Sequence, residues 1–440
     1  MIESIDYETF DLRITKTGDS YHIRVLGSPV GATDSSPGPR LASILALHWP
    51  QDREQAQEIG TRLFEAVFHG SILTIWQRSL DAVTRNGTGL RIRLRLADDA
   101  PELATCPWEF LYDPDAGRFL CQSTQTPLVR YLHLAQPEPP LAVSGALNIL
   151  VVAASPQDRP SLQLDAEVAA VTEALSELIA SGRVVMERLP RPTVRSLLHH
   201  LRCHQVHVLY FLGHGEFDPK SHQGRLILQD NDRNSHPIDG QMLGELLHDE
   251  RSLRLVVLNA CNGGYATRDH LYAGVAQRLV QQGIPAVLAM QSAVADQVSI
   301  DLIAEFYTAL ADGYPVDAAL TEGRRLVAAL GHGVEWGIPV LYMRAPDGYI
   351  FNVRDMKTIQ LSGPGSRGAS LTQTRLLQRV KEAQSSLEML NKRIAALKSD
   401  MARELDGERR VTLQARLLEV EQQRSEIEQE LARWRQQLAG

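Results

Sequence analysis

The chain has 440 residues, more than one hydrophobic core usually organises, so two or three domains are expected. Its 44% hydrophobic and 22% charged residues are an ordinary soluble composition with ample material for a core. The 53 acidic residues outnumber the 45 basic ones for a net charge of −8, which argues against DNA or an anionic membrane as partner and leaves room only for local basic patches.

The opening MIESIDYETF lacks the basic-then-apolar order of a secretion signal, and no apolar run approaches the roughly 20 residues of a membrane span. Four cysteines (Cys106, Cys121, Cys203, Cys261) are too few for a disulfide framework. They suit a reducing compartment, so a cytoplasmic location is expected.

Phe10 to Ile14 and Tyr21 to Leu26 alternate apolar and polar residues around Gly18-Asp19, which predicts a hairpin. Gln55 to Arg78 has helical spacing, weakened or split by Gly60 and Gly70. Leu90 to Leu96 (LRIRLRL) alternates strictly, predicting a strand with one wet face. After the stiff connector Gln136 to Pro140, strands and helices alternate. Leu147 to Ala154 reads as a buried strand, Asp165 to Ala180 as an amphipathic helix, and Val184 to Leu189 as a strand. Thr193 can cap a helix through Leu201. Further strands are expected at Val206 to Leu212, Arg225 to Leu228, Leu253 to Leu258, Ile284 to Met290 and Pro339 to Met343. Helices are expected near Gln241 to His248, Tyr272 to Gln281, Gln297 to Ala311 and Pro315 to Leu330. Such alternation predicts a parallel sheet covered on both faces. Past the linker around 356–370, Leu376, Val380, Ala383, Leu387, Leu390, Ile394, Leu397 and Met401 form a heptad seam. Asp406-Gly407 interrupts it and it resumes at Leu413, so 371–440 is expected to be a coiled-coil hairpin.

Two of these strands end in chemistry. Val206 to Leu212 runs into Gly213-His214-Gly215-Glu216, and Leu253 to Leu258 into Asn259-Ala260-Cys261-Asn262-Gly263-Gly264. Ligands of open α/β sheets bind beyond the carboxyl ends of strands, where both side chains would sit. A thiol attacks a carbonyl only as thiolate, and a neighbouring imidazole can take its proton and later return it to the leaving amine. Cys261 is therefore the candidate nucleophile and His214 the candidate acid/base.

YFLGHGEFD and VVLNACNGG resemble the two active-site motifs of the CHAT-domain family, caspase-like peptidases of bacteria. Cys106-Pro-Trp-Glu-Phe-Leu-Tyr-Asp113 is similar to a third family signature. The segments beginning at Gly274, Gly283 and Trp336 also read like family pieces, in the family's order, across roughly Asp6 to Phe351. The resemblance implies an α/β fold with a caspase-like, mostly parallel sheet flanked by helices. Residues 1–140 would be a supporting α/β layer, 141–355 the catalytic domain, and 371–440 the appended α-helical hairpin. It implies a cysteine endopeptidase with protein substrates, a Cys-His dyad, and backbone N–H groups of Gly215 and Cys261 as oxyanion donors. It further implies a role in bacterial defence or cell-death signalling under an activating sensor protein. Related peptidases that cut after basic residues carry an acid in the first pocket. Asp296 is the first candidate here, with Glu216 weaker; Asn259 lies beside the nucleophile but supplies no charge. The more ordinary reading of Asp296 is a cap for the helix that follows. No cofactor and no metal are expected: the spacing of His199, His200, Cys203, His204 and His207 matches no common zinc pattern. Self-association through 371–440 is a further expectation. The other reading is a catalytically silent adaptor that recruits partners through the hairpin.

Overall fold

The structure is a computed structural model that describes residues 6–34, 36–38, 41–44, 49–97, 100–133, 138–218, 220, 223–260 and 271–353. Beyond these only Ile394, Lys398 and Gln414 are described, so the linker, the expected hairpin and Cys261 lie outside the described residues. The chain divides into two compact units, Met1–Gln360 and Leu361–Gly440.

The first unit is mixed α/β, built on one large, mostly parallel sheet flanked by helices. Its strands are β1 (Tyr7–Thr17), β2 (Ser20–Gly27), β3 (Ser36–Pro37), β4 (Gly89–Leu96), β5 (Leu128–Tyr131), β6 (Leu147–Ala154), β7 (Val184–Arg188), β8 (Val208–Gly213), β12 (Leu255–Ala260), β13 (Ala286–Met290) and β14 (Pro339–Met343). Between β8 and β12 the chain forms a small antiparallel meander: β9 (Gly215–Asp218), β10 (Gln223–Gln229) and β11 (Ser235–Asp239). The large sheet runs β7-β6-β8-β12-β13-β14-β5-β4-β1-β2-β3. β7 to β13 are mutually parallel, β14 turns antiparallel to β13, and β14, β5, β4 and β1 are again parallel. One sheet thus continues across residue 140.

Alternation of side chains divides each strand between two cores. In β6, Leu147, Ile149, Val151 and Ala153 face one cluster, and Leu150, Val152 and Ala154 the other. The first cluster is covered by α1 (Arg53–Val67), α2 (Gly70–Asn86), α3 (Leu164–Ala174), α7 (Asp296–Ala311) and α8 (Val316–Ala329). The second is covered by α4 (Val194–Cys203), α5 (Gly240–Leu247) and α6 (Leu271–Gln281). Two covered faces explain why these strands are nearly continuous Val and Leu.

Expected and observed elements agree closely, with two corrections. Of the two glycines expected to weaken or split Gln55 to Arg78, Gly70 splits it into two helices, its φ of 52° being one that no side-chain-bearing residue adopts easily. Asp165 to Ala180 is also two pieces, Leu164–Ala174 and Ser176–Ala180. The expected wet face of β4 is only partly wet: Arg91 is buried, Arg93 and Arg95 half-buried. Arg91 is buried in a bidentate pair with Asp317 of α8, Arg95 pairs with Asp11 of β1, and the Arg93 guanidinium lies 4.6 Å from the Tyr131 ring centre. Arginine can enter a sheet interior when its fork is met by a carboxylate or its plane by a ring. Alternation alone cannot separate that from solvent.

A second buried network ties the Pro107-Trp108-Glu109 segment to the sheet. Glu109 and Arg130 of β5 are both buried; Arg130 Nη2 donates to Glu109 Oε2 at 2.8 Å and to Gln291 Oε1 at 2.7 Å. Gln291 Nε2 closes the ring by donating to Glu109 Oε2 at 3.0 Å. Gln291 directly follows β13, the neighbour of β12. Glu109→Ala should destabilise the unit by about 3–5 kcal/mol in chemical denaturation, because it strands a buried guanidinium. A loss below about 1 kcal/mol would show that the network is not holding the segment.

Candidate active site

His214 occupies the single position between β8 and β9. Gly213 before it brings the backbone close to the end of β6: a Cβ there would stand 2.7 Å from the Ala154 carbonyl oxygen. The His214 side chain is buried, 5% exposed, and its Nε2 lies 2.9 Å from the carbonyl oxygen of Pro160, in the loop after β6. A carbonyl can only accept, so Nε2 carries a proton, which leaves Nδ1 as the ring position that could exchange one. The imidazole is thereby held in one orientation. This orientation was not legible in the sequence, because the partner is a backbone oxygen.

β8 and β12 pair in parallel with Gly213 opposite Ala260. The chain positions that lead into His214 and into residue 261 are therefore hydrogen-bonded neighbours, about 4.8 Å apart. Cys106 and Cys121 offer no rival nucleophile. Cys106 and Cys121 are buried, and burial pushes both thiols up, Cys121 to about 11. Cys203 is an exposed thiol on α4, with Sγ 4.0 Å from His199 Nε2. Gly215 pairs with Leu226 of β10, and the ladder bond beside it runs from Ile227 N–H to the His214 carbonyl. That makes Gly215 and Leu226 a non-hydrogen-bonded pair, so the Gly215 N–H is not taken up by the meander.

With this geometry in view, the comparison of sequence is decisive. The CHAT domain model matches residues 55–333. The chain belongs to the CHAT-domain family. No curated protein matches it in sequence. Among solved structures, two crystal structures of the Saccharomyces cerevisiae separase–securin complex, at 2.6 and 3.0 Å resolution, resemble this CHAT-domain chain with TM-scores of 0.33 and 0.32 and 13% identity. Each match covers 72% of this chain and 21% of the other, so the chain spans about a fifth of its length.

The remaining candidates of this CHAT domain separate by environment. Asn259 is 2% exposed, with Nδ2 donating to Glu167 Oε1 at 2.7 Å and to Ser299 Oγ at 2.6 Å. Its amide N–H groups are committed inside the protein rather than offered to a substrate. Glu216 is also engaged, 2.5 Å from Arg159 Nη2. Asp296 is the first residue of α7 and exposed; Ala295 is the cap residue, with no side-chain bond, so the helix-cap reading does not hold in its strict form. The carboxylate still lies in the first turn, where the helix dipole favours it. Across the histidine-rich stretch, His200 and His204 stack at 4.3 Å, while the backbone N–H of Asn148 donates to His207 Nδ1 at 3.0 Å.

One participant was missed in the sequence: Glu167 of α3. It is 7% exposed, and burial together with the Asp296 charge pushes its carboxyl up to about 7. Two acids, one buried and one exposed, thus lie near the end of β12. The unfolded chain releases the Glu167 proton near 4.5 and the folded one near 7, so this group's contribution to stability falls as pH rises through that window. Glu167→Gln should be close to neutral at pH 4 and stabilising by about 2–3 kcal/mol at pH 8, read by urea denaturation at both pH values. Equal effects at the two pH values would contradict the buried-acid assignment.

Proposed function

We propose that this CHAT-domain protein is a caspase-like cysteine endopeptidase acting through His214 and Cys261. The observation that carries the reading is the His214 ring, fixed through Nε2 on the Pro160 carbonyl, at a strand end whose register neighbour leads directly to a cysteine. In this reading His214 Nδ1 takes the thiol proton and the Cys261 thiolate attacks the scissile carbonyl carbon. The oxyanion that forms is met by the backbone N–H groups of Gly215 and Cys261. Collapse breaks the C–N bond, and the imidazolium returns its proton to the leaving amine. Water, activated by the same imidazole, then hydrolyses the thioester and frees the thiol.

The acidic pair supports cleavage after Arg or Lys. A cationic side chain beside Asp296 and Glu167 would offset their mutual repulsion and draw Glu167 into its ionised form. Residues 1–140 act as the supporting layer, and 371–440 regulate the site by self-association or by docking an activating protein. Such control fits a cytoplasmic effector of bacterial defence or cell death.

The test is a panel of fluorogenic peptides bearing Arg, Lys, Leu or Asp at the cleaved position. Wild type should prefer the basic reporters, and Cys261→Ala should lose about a thousandfold or more in kcat/KM. Asp296→Ala should lose about tenfold or more on the basic reporters and little on the leucine one. Hydrolysis surviving Cys261→Ala would reject the peptidase reading; an undiminished rate in Asp296→Ala would reject only the specificity.

A further inference from the structure

A cleft of about 850 Å³ opens beyond the carboxyl ends of β6 and β7. Its origin is topological. The helix after β6, α3, packs on one face of the sheet, and the helix after β7, α4, on the other. The two connecting segments part over neighbouring strand ends and leave a crevice, as open α/β sheets do at a switch point. The turn between β10 and β11 closes its third side.

The lining is basic in a chain that is acidic overall. Arg188, Arg191, Arg195 and Arg233 border the cleft against Asp165 and Asp230. Arg188 is neutralised by Asp165 at 2.7 Å, and Asp230 Oδ1 accepts the backbone N–H groups of Asp232 and Asn234. Among the described residues, Arg191, Arg195 and Arg233 make no ion pair, and all three are exposed. Arg233 is also the one non-glycine among the described residues held at positive φ, 64°. Its carbonyl is fixed there by the Gln157 N–H, from the loop after β6. A left-handed arginine costs conformational energy, and here it sets a guanidinium at the cleft mouth.

We propose that this cleft binds an acidic segment of a polypeptide, which on the peptidase reading above is the stretch of substrate flanking the cleaved bond. Two observations select the occupant. The segment from Ser155 to Leu164 that borders the cleft includes Pro160, whose carbonyl holds His214, so cleft and candidate site share a wall. None of the residues lining it is aromatic, whereas single-stranded nucleic acid is gripped by rings that stack its bases. Nor is there a glycine-rich phosphate loop. Guanidinium forks without an ion-pair partner among the described residues, beside Ser161 and Gln163, suit carboxylates on an extended chain.

The full chain carrying Cys261→Ala, which removes turnover, is titrated into a fluorescein-labelled short peptide of alternating aspartate and alanine, with fluorescence anisotropy as readout. A serine-alanine peptide is the control, and a labelled oligouridylate of equal charge the competitor. Saturable, salt-sensitive binding of the acidic peptide is expected, weakened about tenfold or more by adding Arg191→Ala, Arg195→Ala and Arg233→Ala together. Thermal melting shows whether that surface variant remains folded. Unchanged binding in the triple variant, no binding in the parent, or tighter binding of the oligouridylate would each overturn the proposal. Binding does not require the thiol, so failure of the peptidase reading leaves this result standing, and appears separately as absent reporter hydrolysis.

Discussion

The structure depends on a parallel pairing: β8 against β12, with Gly213 opposite Ala260. Both strands are buried on two faces and nearly free of polar side chains, so their register is held by packing into two cores at once. A slip of one residue would exchange the two sets of side chains and expel Asn259 from its polar pocket. Placement of the histidine relative to the chain entering residue 261 is therefore a property of the whole sheet. No local loop has to enforce it.

Around that pairing the protein spends its buried charge on joints between distant segments. Arg91 with Asp317 joins the amino-terminal strands to α8, and Glu109 with Arg130 and Gln291 joins the Pro-Trp-Glu segment to the end of β13. Buried pairs of this kind add little net stability over apolar packing, but breaking one is costly, which makes them effective at fixing one arrangement. The amino-terminal strands thereby become part of the rigid surface that carries the strand ends. Asn259 does a comparable task near the end of β12, linking it to α3 and α7 through Glu167 and Ser299.

Much of this was legible in the sequence because the dominant signal was burial on two faces. Runs such as Val208–Gly213 and Leu255–Ala260 could hardly be anything but inner strands, and their Gly and Asn endings marked where chemistry could sit. What escaped notice has physical reasons. The strand Gly215–Asp218 hid because GEFD is short and largely polar. The arginines of β4 looked solvated because alternation cannot report a carboxylate contributed from Asp317, far along the chain. Pro160 could not be found, since its role is that of a backbone oxygen, and Glu167 reads as an ordinary helix-surface acid until the Asn259 amide is seen against it.

The basic cleft beside His214 and the acidic pair near the end of β12 give the strand ends opposite polarities on two sides, as a surface that orients a polypeptide would require. All of this turns on whether the oriented imidazole acts on the thiol. The most direct measurement is the pH dependence of Cys261 alkylation by iodoacetamide, followed by peptide mapping, in the wild-type chain and in His214→Gln. The account predicts a reactive thiolate in the wild type at pH values well below the ordinary thiol pKa of about 8.5, and a return to ordinary behaviour in the variant. Superimposable profiles would contradict it.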